Sequence, residues 1–94
     1  MTEEELIAIE KRCNSGTRGP LKSFIEGRDH TSGDNFIMTG ISDGEEIWSK
    51  NRGEDIYLTG ATTADQDFIA HAKQDIPKLI AEIRDLKKKA GNNA

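Results

Sequence analysis

The chain has one cysteine, Cys13, which excludes an intrachain disulfide and any multi-cysteine zinc site. No apolar run approaches the ~20 residues that a membrane-spanning helix needs. The N-terminal Met1-Thr2-Glu3-Glu4-Glu5 is acidic, where a secretory leader would carry positive charge. The glycines are scattered over turns and form neither a phosphate loop nor a dinucleotide fingerprint. Apolar residues make up only 34% of the 94 residues, which is low for a globular chain. That composition describes one small domain with a thin core, so self-association is expected. The formal net charge of −4 argues against a nucleic-acid polymer as partner. It leaves a small anion open, because local basic clusters can outweigh net charge.

Catalytic signals are missing as well. His30 lies in a polar loop and His71 on a helix, and neither shows metal-ligand spacing. Cys13 falls on an apolar helical stripe, where a thiol packs and does not react. The sequence therefore carries no expected catalytic residue, no metal ligand and no cofactor site.

What is present is helical at both ends. Thr2-Glu3-Glu4-Glu5 reads as a capping box whose glutamates suit the positive end of a helix dipole. Leu6, Ile9 and Cys13 form its apolar stripe, and Asn14-Ser15-Gly16 ends it. A second capping box is read at Thr63-Ala64-Asp65-Gln66. Apolar residues then recur at helical spacing to Ala90, tightening from Ile76 to a heptad with Ile83 and Ala90 at one core position and Leu79 and Leu86 at the other. Pro77 interrupts this run, and Asp75 can cap a new start that places Pro77 in a first turn. The expectation is a kinked or broken helical region with its joint near residues 74–76.

Between the ends, short apolar runs alternate with turns. Leu21–Glu26, Asn35–Thr39, Glu45–Ser49 and Asp55–Thr59 read as strands, with Ser42-Asp43-Gly44 as a hairpin turn. The expected fold class is α+β: a short N-terminal helix, an antiparallel β-meander of three to four strands, and the long C-terminal helical region. A single domain is expected over residues 1–90, followed by a disordered tail over 91–94.

The middle region also gathers basic and aromatic residues. Arginine holds phosphate through paired donors, and aromatic faces stack on bases. Arg18, Arg28 and Arg52 are candidate phosphate contacts, and Trp48 or Tyr57 a candidate stacking surface. Trp48 alternates with Ile47, so one of the two points away from the core. Thr63, at a helix N-terminus, is a candidate anion contact through its hydroxyl and the free amides there.

Two stretches carry a resemblance. Glu5 to Pro20, with Arg12-Cys13-Asn14-Ser15-Gly16-Thr17 at its centre, is similar to the opening of a group of small phage and prophage proteins. Ala64 to Leu86, with Phe68-Ile69-Ala70 and Asp75-Ile76-Pro77, resembles the segment that closes their core. Arg18 stands where the group has proline, and Leu21 where it has tryptophan. Proteins of this look include the Thoeris anti-defence sponges, which bind cyclic ADP-ribose-type immune messengers, sequester them without cleavage, and form oligomers. The resemblance implies a phage-encoded binding protein in the cytoplasm of a bacterial host, at least a dimer, that captures a cyclic nucleotide or cyclic ADP-ribose-type ligand. The alternative is a small oligomeric interaction protein that binds a host protein through its helical face.

Overall fold

The computed structural model of the chain describes residues 1–40 and 53–92. Four elements follow in order: helix α1 (Glu3–Ser15), strand β1 (Leu21–Phe24), strand β2 (Phe36–Thr39) and helix α2 (Thr63–Asn92). Helix α1 begins as its sequence dictates. The Thr2 hydroxyl accepts from the Glu5 amide at 3.1 Å, and the Glu5 carboxylate accepts from the Thr2 amide at 3.0 Å. These bonds, with the backbone amide first, hold the Glu5 carboxyl below its ordinary range.

The expected meander of three to four strands is not formed among the described residues. Among the described residues the sheet has two strands, β1 and β2, paired antiparallel with Leu21 opposite Thr39 and Phe24 opposite Phe36. The run Asp55–Thr59 contributes a single antiparallel bridge, in which Ile37 and Ile56 exchange both backbone bonds at 2.8 Å. The predicted strand Glu45–Ser49 lies outside the described residues. Gly53 shows how closely the returning chain passes β2. A Cβ there would stand 2.8 Å from Thr17 Cγ2 and 2.9 Å from Thr39 Oγ1, so a side chain would push the segment away.

The C-terminal region is one helix, not two, and Pro77 lies inside it. At 30 residues it runs about 45 Å, and the molecule is correspondingly long, 56 × 29 × 20 Å. The N-terminal cap falls one residue earlier than the sequence suggests. The Thr62 hydroxyl accepts from the Asp65 amide and the Asp65 carboxylate accepts from the Thr62 amide, both at 3.0 Å.

Two faces of α2 are occupied. One carries Gln66, Ala70 and Gln74 against the sheet. Gln66 is 4% exposed, and its Nε2 lies 2.9 Å from Ser23 Oγ, 3.0 Å from the Phe36 carbonyl and 3.2 Å from the Phe24 carbonyl. The Gln74 side-chain amide accepts from Leu21 N–H and donates to Leu21 C=O, both at 2.9 Å, and so pairs with the strand as another peptide would. The other face packs along α1 in the opposite sense. Lys73 donates to the Cys13 carbonyl, Arg84 pairs with Glu3 and Glu10, and Lys87 donates to the Met1 carbonyl. The core is thin: Leu6, Ile25, Ile37, Met38, Ala70 and Ile80 are its buried apolar residues among those described.

Candidate functional site

Strand alternation decides which side chains face α2. Ser23 reaches Gln66, so its neighbours Lys22 and Phe24 stand on the opposite face, with Phe36 across the ladder from Phe24. That outer face is aromatic. Phe24 and Phe36 stack with centroids 5.3 Å apart and planes 10° from parallel, Tyr57 continues the row 6.1 Å from Phe36, and the His30 ring lies 5.1 Å from Phe36. The Lys22 ammonium sits 5.6 Å from the centroid of Phe24.

Tyr57 joins this row to a cleft. An open cavity of about 450 Å³ lies between the segment Tyr57–Ala61 and the first turns of α2, where Asp65, Phe68 and Ile69 complete its wall. Tyr57 is 61% exposed and Phe68 75% exposed, so two aromatic side chains meet solvent at its rim. Asp65 is the one carboxylate in the wall. The Thr62 amide and hydroxyl hold it below the ordinary carboxylate range, and its own amide is taken by Thr62. The helix N-terminus is therefore partly occupied by its own cap, which competes with any incoming anion.

The six residues expected to bind ligand fall in different places. Of the four that are described, Tyr57 is the one that lines the cleft. Thr63 is the first residue of α2, next to the capping Thr62. Arg18 is exposed in the loop between α1 and β1. Arg28 is committed elsewhere: it grips Asp67 with two bonds of 2.8 and 3.0 Å and Asp29 through Nε at 3.0 Å. These bonds, Asp67 first, raise the guanidinium above its ordinary range, and the same grip lowers the Asp67 carboxyl to about 2. Trp48 and Arg52 lie outside the described residues.

Phe68 and His30 were not anticipated as site residues. Phe68 was legible only as one apolar residue in a helical stripe, and its exposure depends on which face of α2 the sheet takes. His30 lies beside the aromatic row, with its Nδ1 accepting from the Ser32 amide at 3.0 Å and its Nε2 buried with no partner among the described residues. No group of three or more His, Cys, Asp or Glu side chains among the described residues could hold a metal ion. No helix among them is long and apolar enough to cross a membrane. No family model, curated protein or solved structure matches the chain.

Proposed function

We propose that the chain is a phage-encoded binding protein that sequesters a cyclic nucleotide immune signal without cleaving it, and so blunts bacterial anti-phage defence. The observation that carries this reading is Tyr57, an exposed ring backed by the Phe24–Phe36 stack on one side and opening onto the cleft beside Phe68 on the other. A ring held in this way offers a nucleobase a flat surface at small entropic cost, and such stacking contributes ~1–3 kcal/mol per base. Phosphate contacts are assigned to Arg18, Arg28 and Arg52. Arg28 is engaged by two carboxylates and would have to release one of them first. Capture is stoichiometric, in the host cytoplasm, by a protein that is at least a dimer.

The test is thermal unfolding against cyclic mono-, di- and trinucleotides and the cyclic ADP-ribose isomers. A ligand at a hundred times its dissociation constant adds ~2.7 kcal/mol to stability, a rise on the order of ten degrees for a domain of this size. The expected outcome is a shift confined to one messenger class, weakened roughly tenfold or more in affinity by Tyr57→Ala, with the ligand recovered intact after heating. A flat response across the panel overturns the reading. The specific observation favouring the alternative, a host-protein binder, is the exposure of Phe68, Leu79 and Leu86 along α2. A flat panel together with specific capture of one host protein that survives charge reversal at Arg28 and Arg52 would establish it.

A further inference from the structure

Once the sheet and α1 have taken their faces of α2, a third face remains apolar. Ile69, Ala72, Ile76, Leu79, Ile83 and Leu86 alternate at intervals of three and four, the spacing of a two-helix seam. The seam starts at the cleft wall and runs about 26 Å down the helix. Leu79 is 60% exposed and Leu86 56% exposed, and nothing among the described residues covers them. Near its upper end the seam opens into a groove, because Ile9 and Cys13 of α1 line one apolar cavity of about 300 Å³ together with Ile69, Ala72 and Ile76.

The charges along the two borders of the seam select the occupant. On the border next to α1 stand Lys73 and Lys87, whose ammonium groups rest on backbone carbonyls of Cys13 and Met1 and not on carboxylates. On the far border stand Asp75 and Glu82, with no ion pair among the described residues. In a parallel pair, the acidic border of one seam meets the basic border of the other, and Glu82 reaches Lys87 five residues further along the second copy. An antiparallel pair instead sets Asp75 against Glu82 of the second copy, twice, with like charges together.

We infer that this face is the interface for a second copy of the same chain, seated in parallel with α2 against α2 about a two-fold axis. The inference rests on the oligomeric part of the proposed function and not on its ligand. It is tested without ligand, by sedimentation equilibrium of the full chain. The expected result is a reversible dimer. Leu79→Glu raises its dissociation constant on the order of a hundredfold or more with the helical circular dichroism unchanged, since Leu79 is more than half exposed within one chain. Glu82→Lys weakens the dimer roughly threefold to tenfold, and adding Lys87→Glu restores it. A wild-type chain that stays monomeric at every concentration overturns the interface. A Glu82→Lys variant that dimerises more tightly overturns the parallel arrangement, because that is what an antiparallel pair would do. A dimer that ignores every nucleotide sinks the ligand proposal alone.

Discussion

Gln66 is the residue on which the packing of helix against sheet turns, and it acts through one atom. Its Nε2 donates toward a hydroxyl and two strand carbonyls in a site 4% exposed. Gln66→Glu keeps the shape and removes the donor, leaving an ionised carboxylate facing three oxygens. The variant is expected to lose on the order of 3 kcal/mol at neutral pH. It should recover part of that as the solution is acidified, because a protonated carboxyl donates again; urea midpoints at pH 7 and pH 5 check both halves. Arg28 and Asp67 give the opposite sign. Asp67 titrates at about 2 in the folded chain against an ordinary 3.8, so its contribution is complete above about pH 4 and disappears as the pH falls toward 2. Wild type should therefore lose urea resistance over that window. Asp67→Asn should lose less there, Asp29 being the remaining carboxylate that Arg28 depresses. Equal acid sensitivity in the two proteins would show that the pair adds nothing. The sequence exposes the charges of these residues but not their partners: Arg28 reads equally as a phosphate donor or as a tie between loop and helix, and only the fold places Asp67 beside it.

At the scale of the element, the helix ends and the pair β1 and β2 were legible, and the extent of the sheet was not. Capping chemistry is local, so the start of α1 at Thr2 and its end near Gly16 follow from a few adjacent residues. The start of α2 was displaced by one position because Thr62 and Thr63 both fit, with Asp65 and Gln66 as matching third residues. Burial of Gln66 under the sheet decides between them by taking its side chain away from the helix end. Thr62→Ala should accordingly cost about 1 kcal/mol, and Thr63→Ala no more than about 0.5 kcal/mol. Thermal melts of the two variants measure the difference, and equal losses would place the cap wrongly. The run Asp55–Thr59 misled for a non-local reason. Ile56-Tyr57-Leu58 has the composition of a strand, but after one bridge at Ile56 the chain leaves β2, and Tyr57 faces Phe36 and the cleft. Pro77 does not break the helix in two. A helix packed on α1 and the sheet tolerates one missing amide, because tertiary contacts hold the turns on both sides of it.

For the whole molecule, length and thinness set the terms. A helix about 45 Å long rests on a two-stranded sheet and a 13-residue helix, so one side of it has no layer of its own chain among the described residues. A single chain of this size buries a modest share of its surface and is marginally stable. A second copy laid along the α2 seam adds apolar burial where the chain has least. Its signature is thermodynamic and needs no ligand. If the folded state is a dimer and the unfolded state a monomer, each tenfold rise in protein concentration adds about 1.4 kcal/mol per dimer to stability. With the usual unfolding entropy per residue, that moves the melting midpoint by about 3 °C per decade. The slope should vanish in Leu79→Glu, whose midpoint should lie below that of wild type at every concentration and be closest to it at the most dilute. A wild-type midpoint that does not move with concentration would mean that Leu79 and Leu86 are solvated in the folded protein, and that the sheet, α1 and the two glutamine bridges suffice to hold α2 in place.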